Sequence, residues 1–209
     1  ILQIRPKKSA KLYESIWTDR GSPLAFHTAD QSVGVREKLE KKYGDQIVVE
    51  WAMRYGNPSI ASVLEKMHSK GVRKLVVLPL YPQYSAASTA STFDAIADYY
   101  SKQRWIPELR FINSYHDDSK YINALVKSIE DHWRENGRAD KLLFSYHGIP
   151  ERHIRKSDIT KSHCKIDKSC CITPSEAHAY CYKHQCLGVT CLVGEELGLE
   201  DASWEVPLW

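Results

Sequence analysis

All six cysteines of the chain lie within residues 164–191, in the order C-x5-C-C-x9-C-x4-C-x4-C from Cys164 to Cys191. Thiols used only for core packing are scattered along a sequence, so this density points to a bound centre. A disulfide framework belongs to exported chains, and export is not expected here. Four of these thiolates could hold zinc or an iron–sulfur cluster. The C-x2-C knuckle usual in zinc sites is absent, whereas His163, His178 and His184, interleaved with the cysteines, keep zinc open. Cys170 and Cys171 compete for one ligand position because adjacent side chains diverge. Cys186 and Cys191 are five apart on an expected helix and could both face inward.

A second chemical signal is SYHGIP, in which His147 follows an expected strand directly and is framed by Gly148 and Pro150. A histidine there suits proton transfer or, through a neutral nitrogen, a divalent metal. MRYGNPS carries Arg54 and Tyr55 in a turn. A guanidinium fork matches a carboxylate bidentately, and the neighbouring ring adds a flat face. In YPQYSAASTAST the hydroxyls of Ser85, Ser88, Thr89 and Ser91 are candidates for capping a helix. Ser22, in RGSPL, reads on chemistry alone as a turn residue.

Parallel strands must position these residues. Apolar runs at 46–51 (QIVVEW), 74–80 (KLVVLPL), 109–113 (LRFIN) and 141–146 (KLLFSY) read as buried strands, and another is expected from Ser203. Helical patterns fall at 7–17, 29–43, 60–69, 86–101, 119–135 and 176–197. Alternating units of this length predict an α/β fold, a doubly wound parallel sheet with ligands beyond the carboxyl ends of the strands. A domain boundary is expected near Pro107. The 209 residues are 43% hydrophobic and 26% charged, which excludes disorder, collagen and coiled coil, and a net charge of +3 names no nucleic-acid or anionic-membrane partner. No apolar run reaches the roughly 18 residues of a membrane span. The expected localisation is cytoplasmic. The chain starts without Met and closes on WEVPLW, so both ends read as cut.

LYESIWTDRGSPL, MRYGNPS, LVVLPLYPQYSAAST and LLFSYHGIPERHIRKSD, in this order, resemble the ferrochelatases, and the likeness runs from about Lys11 to Glu205. The resemblance implies two chelatase-like, Rossmann-type domains, here 1–107 with its N-terminal strand missing and 108–209 as the incomplete start of the second, with the cysteine-rich insertion at 164–191. It implies a lyase of haem biosynthesis that inserts ferrous iron into protoporphyrin IX. By the same resemblance His147 is the catalytic histidine, taking pyrrole protons or handing over iron, Arg54 and Ser22 meet propionates, and Tyr13 and Tyr55 lie near the macrocycle. Some bacterial members hold a [2Fe-2S] cluster in an internal four-cysteine segment, which implies Cys164, Cys171, Cys181 and Cys186 as ligands here, with zinc the alternative. The acidic residue opposite the histidine is expected beyond Trp209, so the chain alone is expected to be inactive. Glu151, Asp158 and Asp117 are the acids within the chain to consider in its place, and the likeness stops after Val206. Peripheral membrane association and oligomeric state are left open. Competing readings are a non-catalytic cluster- or zinc-binding redox module on a chelatase scaffold, and a chelatase for another tetrapyrrole or metal.

Overall fold

The computed structural model describes residues 5–167, 169–200 and 203–206. Residues 1–73 with 95–107 form one compact unit, and 74–94 with 108–209 a second. Pro107 closes the last segment of the first unit. Residues 74–94 go with the second because β1 (Lys74–Val77) pairs in parallel with β2 (Glu108–Phe111), Lys74 opposite Glu108 and Val77 opposite Phe111. A second parallel pair joins β3 (Leu142–Leu143) to β4 (Trp204–Glu205). Both ladders are parallel, as an α/β fold requires, and both are shorter than the apolar runs that encode them.

In the first unit, α1 (Arg5–Glu14) and α2 (Pro23–Tyr43) precede α3 (Ile60–Ser69). Pro23 occupies the first turn of α2, where a missing N–H costs nothing, and Gly44, at φ +64, ends it. The Ser59 hydroxyl caps α3 by accepting from the Ser62 amide at 3.1 Å, and Val63, Leu64 and Met67 are its buried stripe. The strand expected at 46–51 is extended at Ile47 but is not a strand, because among the described residues it has no ladder partner. Side chains hold it instead. Arg36 donates to the Val49 carbonyl at 2.8 Å, and Glu50 takes Lys66 at 2.8 Å and Lys70 at 3.3 Å.

In the second unit, α5 (Ser119–Asn136) packs on α8 (Tyr182–Glu196). Asp118 caps α5 through the amides of Lys120 and Tyr121, and Gly137, at φ +85, stops it. Ile122, Leu125, Val126 and Ile129, spaced as one helical face, meet Val189 and Val193 of α8, with Phe144 and Tyr146 packed against the same cluster. Each fully buried Ile or Val here contributes about 1.5–3 kcal/mol.

The helix expected over 86–101 begins as a π-helical turn, Ala86–Ala90, before α4 (Ser91–Tyr100). Ser85 is its cap, accepting from the Ser88 amide at 3.2 Å. The helix expected over 176–197 is broken into a 3-10 turn, Glu176–Tyr180, and α8, with Cys181 in extended conformation between them. Two short helices, α6 (Glu151–Ser157) and α7 (Ser169–Ile172), were not visible as periodic patterns because neither is long enough to repeat one. No described helix is long and apolar enough to cross a membrane. Trp209 and the last residues of WEVPLW lie outside the described residues.

Candidate functional site

The backbone from β3 onward carries His147 out of the ladder, with exposure alternating along residues 141–147 as an extended chain requires. Phe144 still donates to the Glu205 carbonyl at 2.9 Å. Two residues later the Tyr146 hydroxyl meets Thr190 Oγ1 at 2.9 Å, and burial pushes its acidity well below that of an ordinary phenol, so it remains a neutral partner. The His147 carbonyl accepts from the Tyr182 hydroxyl at 2.9 Å. The imidazole itself is on an exposed residue. Beyond it Gly148, Ile149 and Pro150 lead into α6, where His153 donates its amide to the Pro150 carbonyl at 2.7 Å. An imidazole thus stands at a strand's carboxyl end, its backbone held at the His147 carbonyl and the preceding side chain held at the Tyr146 hydroxyl.

The cysteine segment follows at once. Cys164, Cys170, Cys171 and Cys181 line one pocket together with Ile154, Asp158, His163, Ala177 and His178. Cys186 is fully buried and lies off that lining, and Cys191 is exposed. Burial pushes the Cys171 thiol up to about 11 and the Cys186 thiol up to about 12, and it raises Cys164 and Cys181 as well. The thiols are therefore protonated at neutral pH, and a cation bound among them would have to displace protons. Among the described residues no group of three or more His, Cys, Asp or Glu stands at metal-holding distances. The donor chemistry of the lining, four thiols on one concave surface, nonetheless suits a thiolate-held centre.

The three histidines face backbone. His163 Nε2 and His178 Nε2 lie 2.7 and 2.8 Å from the Cys170 carbonyl, and His184 Nδ1 lies 3.0 Å from that of Cys171. A carbonyl only accepts, so each of these nitrogens carries its proton and none offers a lone pair there. His184 stacks on His178 at 3.7 Å between centroids. The rings brace the loop that carries the adjacent cysteines.

Asp158 braces the other side. Its Oδ1 accepts from the Thr160 amide at 2.9 Å and the Thr160 hydroxyl at 2.6 Å, while Oδ2 accepts from the Cys164 amide at 2.8 Å. Led by the Thr160 hydroxyl, these donors pull its carboxyl down from 3.8 to about 2. The folded value lies below the unfolded one, so the stabilisation is complete above about pH 4 and disappears as pH falls through 2. Protection of the Cys164 amide from hydrogen exchange is expected to follow that course, and Asp158→Asn is expected to lose it at neutral pH. Protection unchanged by the substitution would show that the carboxylate does not hold the loop.

The ferrochelatase family profile matches residues 1–207. The chain is 60% identical over 169 residues to the ferrochelatase of Idiomarina loihiensis, an alignment covering 81% of this chain and 46% of that protein. It is 46% identical to the ferrochelatase of Alcanivorax borkumensis (98% and 53%) and 46% identical to ferrochelatase 2 of Shewanella oneidensis (99% and 56%). The chain belongs to the ferrochelatase family. It spans about half the length of the curated relatives it matches.

The remaining ferrochelatase residues named from sequence lie in the first unit. Arg54 is half-buried in the turn after the irregular 47–52 segment, its guanidinium 4.6 Å from the centre of the exposed Tyr55 ring. The turn is closed by the Met53 amide on the Pro58 carbonyl at 2.8 Å and by Gly56, whose φ of +108 favours glycine. Ser22 stands at the N-cap of α2 but makes no side-chain cap bond, and Tyr13, in α1, is exposed. Of the acids, Asp158 is committed to the Cys164 loop, Glu151 opens α6, and Asp117 lies 3.7 Å from His116. Sequence reasoning gave no part to Tyr182, Thr190 or Gln185. The last is 1% exposed and links the Tyr84 amide to the Ala179 carbonyl at 2.8 and 2.9 Å. A glutamine inside an otherwise apolar helix face was the available signal.

Proposed function

We propose that the longer protein to which this chain corresponds is a cytoplasmic ferrochelatase that inserts ferrous iron into protoporphyrin IX, with its first domain ending near Pro107. The observation that carries this reading is His147, exposed at a strand's carboxyl end with its carbonyl held by Tyr182 and the neighbouring Tyr146 side chain held by Thr190. Metallation removes two pyrrole protons while a divalent ion reaches the centre of a flat ring. His147 supplies a base for those protons or a nitrogen that hands over iron. Arg54 and Ser22 meet the propionates, and Tyr13 and Tyr55 lie along the macrocycle. The test is anaerobic haem formation from protoporphyrin IX and ferrous iron by the full-length protein.

The thiol-lined pocket is read as the seat of a [2Fe-2S] cluster, a one-electron centre that also ties its loop together. Cys164, Cys171 and Cys181, which share one lining, hold it together with Cys186, the fourth ligand implied by the resemblance, and Cys170 is the rival of its neighbour Cys171. Zinc, which four thiolates would hold as well, is the alternative occupant.

Arg54→Ala is expected to raise the porphyrin KM about tenfold with kcat within about twofold, because a contact remote from the ring centre contributes mainly uniform binding. An unchanged KM would make Arg54 a surface residue only.

A further inference from the structure

We propose that Tyr182 is a positioning residue for His147, its hydroxyl fixing the backbone on which the histidine is carried. This rests on the ferrochelatase reading above. Tyr182 opens α8, directly after Cys181 of the thiol-lined pocket, and its hydroxyl donates to the His147 carbonyl at 2.9 Å across 35 residues of sequence. The residue is half-buried, and Cys186, fully buried, follows one turn along the helix. Four residues beyond Cys186, Thr190 holds Tyr146. One face of α8 therefore grips both residues at the strand's end.

The grip is needed where it acts. β3 is only two residues long, Gly148 follows His147 immediately, and the ladder's last amide bond is made at Phe144. Without further contacts the peptide at His147 would be free to turn about a glycine. A ring that must take protons from, or pass a metal to, one point at the centre of a macrocycle loses rate steeply with displacement. A shift of about 1 Å can cost two orders of magnitude. The hydroxyl does not reach the reacting atoms and acts only through the backbone of its neighbour.

The test is Tyr182→Phe in the full-length protein, which keeps the ring and its packing and removes one donor. Expected are a fall in kcat of about tenfold or more, a porphyrin KM within about twofold of wild type, and an unchanged visible spectrum and metal content. A kcat within twofold of wild type would overturn the proposal. So would a parallel loss of kcat, porphyrin affinity and bound metal, which would make Tyr182 a packing residue of the cysteine segment. If wild-type protein itself forms no haem, it is the ferrochelatase reading that fails, and the two failures are thus told apart.

Discussion

His147→Ala in the full-length protein is expected to lower iron insertion by about two to four orders of magnitude, the range over which a positioned acid–base group contributes. The fold should survive. His147 is exposed, lies outside the buried core cluster of α5 and α8, and its contact with Tyr182 is made by the backbone carbonyl, which alanine retains. Thermal unfolding should therefore stay near wild type while haem formation, followed by absorbance, is lost. Porphyrin affinity should change little, since the propionate contacts are assigned to Arg54 and Ser22. A folded variant turning over at a normal rate would remove His147 from the chemistry.

Cys181→Ser and Cys164→Ser are each expected to bleach the visible charge-transfer bands of the purified full-length protein and to lower its unfolding temperature. Cys164 is tied through its amide to Asp158, and Cys181 is the extended residue between the 3-10 turn and α8. Loss of either thiolate would leave the loop without the crosslink that a bound centre supplies. Cys191→Ser should keep the bands, since that thiol is exposed and outside the lining. Cys186→Ser should bleach them, and Cys170→Ser should not. If Cys170→Ser bleaches the centre and Cys186→Ser spares it, the ligand set implied by the resemblance is wrong.

The candidate site residues stand out in the sequence more clearly than the ladders do. His147, Arg54 and the cysteine segment announce themselves by residue type and by the Gly and Pro around them, and the parallel α/β class follows from alternating apolar runs. Residues 46–51 show the limit, because β-branched content is only a propensity, whereas a strand also needs a partner, and there Arg36 and the Lys66–Glu50 pair satisfy the segment instead. The break at Cys181 was invisible because the residues on both sides favour helix, and only three-dimensional packing extends the one between. Tyr182 was missed for a related reason. A tyrosine beside a cysteine carries no pattern, and its use depends on meeting a carbonyl 35 residues away.

The most direct measurement is anaerobic turnover of the full-length protein with ferrous iron and protoporphyrin IX, following the disappearance of porphyrin fluorescence and the appearance of haem absorbance. Stoichiometric conversion of porphyrin to haem, repeated over many turnovers and abolished by His147→Ala, is the predicted result. Tight porphyrin binding without haem formation, or metallation that proceeds equally well without His147, would contradict it.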